Sequence, residues 1–189
     1  YDSKNTPIEH LNAFYHTLDE VKAANAKFDG LIITGAPVET LDFADVAYWN
    51  ELVDVMRWAE HHVYSTLYIC WAAQAGVFYR YGIDKRALPR KLSGIFEHRV
   101  LDKTNPLMRG FDDAFRAPHS RYTESDSAAM HREPKLKVLA ESDEAGAYIC
   151  CSDDLRHVYV FGHGEYDAAT LHNEYMRDTA KGLSADPPR

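Results

Sequence analysis

The residue with most chemical promise is Cys70. It closes the apolar run Ser65-Thr66-Leu67-Tyr68-Ile69 and stands directly before Trp71-Ala72-Ala73-Gln74-Ala75-Gly76-Val77-Phe78-Tyr79, which is helical in composition. A sulfur at a strand-to-helix turn faces unpaired helix amides and the positive end of the helix dipole, and both favour the attacking thiolate. An arbitrary cysteine is more often a core residue; the turn position is what sets this one apart. Far along the chain, His163-Gly164-Glu165 follows the apolar run Val158-Tyr159-Val160-Phe161. On an extended segment the histidine and the carboxylate share a side. The imidazole can then move a proton while the acid fixes its tautomer. His-x-Glu by itself is weak, since the chain holds ten histidines. No His-x-x-x-His or clustered Cys/His spacing accompanies it, so a metal site is not expected.

The elements that must carry these groups read as an α/β protein. Phe28 to Ile33, closed by Gly35 and Pro37, has the apolar continuity of a buried parallel strand with a tight loop after it. A helix from about Asp45 to Glu60 separates it from the Ser65–Cys70 strand, and strand-helix-strand-helix order gives a parallel sheet with right-handed crossovers. Open sheets of this kind bind ligands at the C-terminal ends of their strands. The Gly35-Ala36-Pro37-Val38-Glu39 loop, Cys70 and His163 all fall at such ends.

Elsewhere the pattern is less sharp. Thr6-Pro7-Ile8-Glu9 is a helix start, with Leu11, Phe14, Tyr15 and Leu18 at helical spacing behind it. The stretch from about Lys85 to Ala129 is rich in Pro, Gly and polar residues and is expected to be largely irregular. Lys135–Ala140, Ala147–Cys151 and Val158–Gly162 read as strands, some of them antiparallel. Asp167 caps a final helix over Ala168–Lys181, which Gly182 ends. Arg177 shares a face of it with Leu171, Glu174 and Lys181, a pattern that also fits a surface ion pair of little worth. His61, His62, His119, His131 and His157 lie in polar stretches and are expected to be exposed.

Composition excludes several classes. The chain has 189 residues, 46% of them hydrophobic and 26% charged, as in one globular domain spanning 1–189. A net charge of −8 argues against nucleic acid as the main partner. No apolar run approaches the roughly 18–20 residues of a membrane span, and the polar opening Tyr-Asp-Ser-Lys-Asn-Thr-Pro is unlike a signal peptide. Cys70, Cys150 and Cys151 are too few for a disulfide framework, and the last two sit in an apolar strand as core residues. A reduced cytoplasmic setting is the simplest expectation.

These landmarks together resemble the homoserine O-acyltransferase family, the homoserine O-succinyltransferases and O-acetyltransferases of methionine biosynthesis. The resemblance is carried by Tyr68-Ile69-Cys70-Trp71-Ala72-Ala73-Gln74-Ala75, Thr34-Gly35-Ala36-Pro37-Val38-Glu39 and His163-Gly164-Glu165-Tyr166. Further matches are Asn5-Thr6-Pro7-x-Glu9-His10-Leu11, Phe43-x-x-Val46-x-Tyr48-Trp49 and Pro118-His119-Ser120-Arg121. Together they run from about Tyr1 to Arg177. Members of that family begin several dozen residues earlier, with a segment holding the first strand, so the chain is expected to lack it.

The resemblance implies a class I glutamine amidotransferase-like, flavodoxin-like fold with a mostly parallel sheet flanked by helices. It implies Cys70 as the acyl-accepting nucleophile, His163 as general base and Glu165 as its orienting acid. Lys91, Ser120 and Arg177 fall on substrate-binding positions; an arginine can hold an amino acid's carboxylate by a two-pronged bond. The Trp71 amide, with the Gly35–Glu39 loop, is the natural oxyanion hole. At the position of Glu39 the family has Gly for succinyl and Glu for acetyl donors. A glutamate there would fill the space of succinyl's second carboxylate and repel its charge. The expected reaction is acetyl transfer from acetyl-CoA, a co-substrate and not a bound cofactor, to the hydroxyl of L-homoserine. A homodimer is also implied. L-Serine as acceptor, succinyl as donor, a glutamine amidotransferase-like hydrolase and a non-catalytic binding domain are the rival readings. The amidotransferases show Gly-x-Cys-x-Gly, whereas Tyr68 and Ala72 flank Cys70 here.

Overall fold

The computed structural model describes residues 6–183 and 186–189; Asn5 of the first matched motif lies outside them. Seven strands form one sheet in the order β1-β2-β7-β6-β5-β3-β4. The strands are β1 (Phe28–Ile33), β2 (Val63–Ile69), β3 (Lys85–Val100), β4 (Ala114–Ser125), β5 (Leu136–Ser142), β6 (Gly146–Ser152) and β7 (His157–Val160). The helices are α1 (Ile8–Phe14), α2 (Leu18–Ala23), α3 (Trp49–His62), α4 (Trp71–Tyr81), α5 (Ser127–Arg132) and α6 (Thr170–Ala180). The pairs β1–β2 and β2–β7 are parallel. From β7 outward every pairing is antiparallel.

The parallel part follows the apolar strand runs. Tyr68 of β2, Tyr159 of β7 and Cys150 of β6 point to one face, where Met56 of α3, Ala72, Ala73 and Val77 of α4 and Met130 of α5 cover them. A Cβ on Gly76 would meet the rings of Tyr68 and Tyr159 at 2.9 Å, so only glycine lets α4 lie this close to the sheet. The alternate residues Ile149 and Cys151, with Val158 and Val160 beside them, join Leu139, Ala140 and Met108 in a second cluster on the opposite face. Cys150 and Cys151 are both fully buried, as their apolar strand predicts.

Five expectations change. The last helix begins at Thr170 with Ala169 at its N-cap, not at Ala168 behind Asp167, whose carboxylate accepts the Ala169 amide (2.9 Å) in the turn before it. The N-terminal apolar residues do not share one helix. The chain breaks after Phe14, and α2 restarts behind a capping box in which Thr17 and Glu20 bond reciprocally. Neither helix buries a side chain, and Phe14 is 73% exposed. The β1 strand is parallel as expected but lies at the sheet edge, so Ile32 is exposed and not buried. The third helix starts at Trp49, after a 3-10 turn over Phe43–Asp45.

The largest change lies in the middle of the chain, where two long strands replace the expected irregular stretch. The β3 strand pairs with β5 only through Arg99 and Val100, and its earlier ladder runs to β4 alone. The ladder breaks between Ala87 and Leu92, the segment that contains Lys91. The resulting ribbon reaches over the C-terminal ends of the parallel strands, where the Pro118 carbonyl accepts the His163 amide (2.9 Å).

Candidate active site

Because β1, β2 and β7 are parallel neighbours, the residues that follow them emerge side by side. They meet in a cleft of about 960 Å³ lined by Gly35, Glu39, Cys70, His163 and Glu165. The β3–β4 ribbon adds Lys91, Ser120 and Tyr122, and α6 adds Glu174, Arg177 and Asp178. Seven of the eight expected site residues thus line one cavity. The eighth, Trp71, is buried and opens α4 beside Cys70.

Cys70 takes φ 57° and ψ −120°, a left-handed conformation that a side-chain-bearing residue adopts only under constraint. Its own carbonyl accepts the Ala73 amide (3.0 Å), and its amide donates to Val160 O (2.8 Å). Strand and helix thereby grip the turn from both sides, and the sulfur is carried on a sharp elbow.

The electrostatics overturn one expectation. Burial, followed by the Glu39 carboxylate, pushes the Cys70 thiol up to about 12, although the Trp71 amide and the Arg121 guanidinium pull the other way. Desolvation outweighs the helix end, so the resting sulfur keeps its proton. His163 lines the same cleft, with its Nδ1 2.7 Å from Glu165 Oε1. Its ring stacks on Tyr166 with centroids 4.2 Å apart. These two contacts define the plane of the imidazole.

Glu39 is tied down firmly. Its Oε2 accepts the Tyr122 amide (2.8 Å), the Thr123 amide (3.3 Å) and lies 3.3 Å from the Thr123 hydroxyl. Burial nevertheless raises its carboxyl above the usual range, the two amide donors notwithstanding.

Lys91 and Asp178 form an ion pair at 2.7 Å, with side chains only 6% and 4% exposed. Burial works to raise the Asp178 carboxyl, but hydrogen bonds from Lys91 and Arg177 outweigh it and hold it low. Ser120 Oγ donates to Glu174 Oε2 (2.5 Å), and the Tyr166 hydroxyl donates to Glu174 Oε1 (3.0 Å). Arg177 bonds Asp178 while its side chain stays half exposed to the cleft. It is more than a surface ion pair.

Glu174, Asp178 and Tyr166 carry no expected role, yet they tie the cleft together. Glu174-x-x-Arg177-Asp178 is the signal that could have found the first two, because residues three and four apart share a helix face.

Behind β4 lies a polar core. His98, His119 and Arg121 are buried, and so is His157 at the start of β7; exposure was expected for His119 and His157. Arg121 donates to His119 Nδ1, so His119 is neutral and donates from Nε2 to His98 Nε2 (2.9 Å). Among the described residues no cluster of His, Cys, Asp or Glu could hold a metal ion. No helix among them is long and apolar enough to cross a membrane.

The fold and the cysteine elbow define a class I glutamine amidotransferase-like domain. A glutamine amidotransferase from Thermotoga maritima superposes with a TM-score of 0.63 at 12% identity, covering 95% of this chain and 67% of that one. The glutaminase domain of Trypanosoma brucei CTPS, solved with bound acivicin, gives 0.61 at 14% identity over 99% of this chain and 83% of that one. At such identities the likeness concerns the fold alone. Within that class the chain belongs to the homoserine O-succinyltransferase family, whose model matches residues 1–189. A homoserine O-acetyltransferase of Lachnospira eligens is 55% identical over 98% of this chain and 59% of its own length. Those of Lachnoclostridium phytofermentans and Thermotoga petrophila are each 54% identical, over 100% and 98% of this chain and 62% and 60% of theirs. The chain therefore spans about 60% of the length of these curated relatives.

Proposed function

We propose that the chain carries the catalytic centre of a homoserine O-acetyltransferase. One observation carries the reading: Cys70 sits on a strained elbow in the same cleft as the His163–Glu165 pair. In the first half-reaction His163 takes the Cys70 proton, and the thiolate attacks the thioester carbonyl of acetyl-CoA. The Trp71 amide and the Gly35–Glu39 loop hold the tetrahedral oxyanion. As the carbon–sulfur bond to CoA breaks, His163 returns the proton to the leaving thiolate. Acetyl remains on Cys70, and the scheme draws on no prosthetic group.

In the second half the L-homoserine hydroxyl gives its proton to His163, and its oxygen attacks the acyl-enzyme. Collapse expels the Cys70 sulfur, which recovers the proton and frees O-acetylhomoserine. Splitting the transfer this way gives ping-pong kinetics. Glu165 fixes the tautomer and steadies the imidazolium. Arg177 offers a half-exposed guanidinium for the acceptor's carboxylate, with Lys91 and Ser120 beside it. Glu39 at the cleft wall favours acetyl over the succinyl donor, whose far end carries a carboxylate, in keeping with the relatives' names.

The test is intact-mass analysis after incubation with acetyl-CoA or succinyl-CoA alone. One acetyl group on the Cys70 peptide, absent from Cys70→Ala, is expected. No adduct from either donor would overturn the scheme. Turnover of homoserine beside serine then identifies the acceptor.

A further inference from the structure

The Glu39 carboxylate is held from β4, and β4 in turn is held from the nucleophile's own helix. Gln74 lies one turn beyond Cys70 on α4, and its amide hydrogen-bonds to the Cys70 carbonyl (3.3 Å). Its side chain is 1% exposed and meets Thr123 twice. Gln74 Nε2 donates to Thr123 O (3.1 Å), and the Thr123 hydroxyl donates to Gln74 Oε1 (2.9 Å). The Tyr122 and Thr123 amides, presented by that same stretch of β4, hold Glu39 Oε2. All the bonds to Glu39 converge on Oε2, which leaves Oε1 as the oxygen available to the cleft.

We infer that Gln74 and Thr123 are positioning residues for donor selectivity: through β4 they keep Glu39 from swinging out of the acyl site. A glutamate on a mobile loop could fold aside to admit a longer, charged acyl group. One fastened through Thr123 to a wholly buried glutamine cannot, because moving it requires breaking polar contacts that water does not replace. The inference rests on Glu39 facing the acyl group, as proposed above.

The experiment measures CoA release from acetyl-CoA and from succinyl-CoA in the parent chain, Thr123→Val, Thr123→Ser, Gln74→Met and Ser125→Ala. Each variant's donor ratio is internal to one preparation, so a change in the amount of folded protein cancels. Thr123→Val and Gln74→Met are each expected to raise the succinyl-to-acetyl ratio by about tenfold, the scale of one lost buried hydrogen bond. Thr123→Ser, which keeps the hydroxyl, is expected to restore the parental ratio. Ser125 is buried two residues further along β4, and its hydroxyl has no bonding partner. Ser125→Ala is expected to leave the ratio parental. Parental ratios in both Thr123→Val and Gln74→Met overturn the inference, as does an equal shift in Ser125→Ala. A parent that releases CoA from neither donor overturns the proposed function and this inference with it, an outcome distinct from the variant results.

Discussion

Gly35 packs against Cys70 so closely that a Cβ on the glycine would stand 3.1 Å from the Cβ of the cysteine, with the Trp71 nitrogen at 3.5 Å. The loop after β1 and the elbow after β2 therefore form one surface, and any side chain at position 35 pushes them apart. Gly35→Ala is expected to slow acylation of Cys70 by about a hundredfold, the scale of a small misplacement of reacting groups. The melting temperature should change little, because Gly35 itself is exposed. Rapid-mixing measurement of CoA release checks it, and a parental rate would show that the loop takes no part.

Glu165→Gln keeps the shape of the pair but replaces the carboxylate that faces His163 Nδ1 at 2.7 Å. The amide can offer its N–H to the ring and hold the wrong tautomer, and it no longer steadies the imidazolium. Turnover is expected to fall on the order of 10³- to 10⁴-fold with little change in KM. A loss confined to KM would assign Glu165 to binding.

Burial and the Glu39 carboxylate push the Cys70 thiol up to about 12, and Cys150 and Cys151 are also raised by burial. The native chain is therefore expected to show no thiolate absorbance at 240 nm titrating between about pH 7 and 9, whereas the unfolded chain titrates near 8.5. A folded value above the unfolded one means that the native state holds the proton more tightly. Stability is thus intact below the unfolded value and declines as pH rises from there toward 12. Cys70→Ala should flatten part of that alkaline slope in denaturant titrations.

On the acid side the buried histidines dominate. Burial, aided by Arg121, pushes His98 down to about 4, and burial with Arg80 takes His157 to about 4; His119 is also strongly lowered, by burial first. The native state resists these protons while the unfolded chain accepts them near 6.5, so stability is full above that value and falls as pH drops from 6.5 toward 4. The thermal midpoint should fall across that window, and His157→Gln should make the fall shallower. An unchanged slope would show that His157 does not titrate on unfolding.

The linear sequence determined the strand-turn-helix unit around Cys70, the strand that ends before His163 and the final helix with Arg177. Each has a local cause: an apolar run fit for burial on both faces, helical spacing, or a glycine or proline at a turn. It was also enough to assemble the expected site residues from motifs. Only the tertiary structure decided the rest. Beyond Ala117 the inward face of β4 is His119, Arg121, Thr123 and Ser125, all buried. A strand whose buried side is polar carries no alternation of apolar and polar residues, so nothing local distinguishes it from a loop. His119 and Arg121 are held there by bonds to each other, to His98 and to the Ala145 carbonyl, and Thr123 by bonds to Gln74 and Glu39, partners up to 84 residues away. The state of the Cys70 sulfur was decided in the same way: the helix end is written in the sequence, but the desolvation and the Glu39 charge that outweigh it arise only when distant segments close over the elbow.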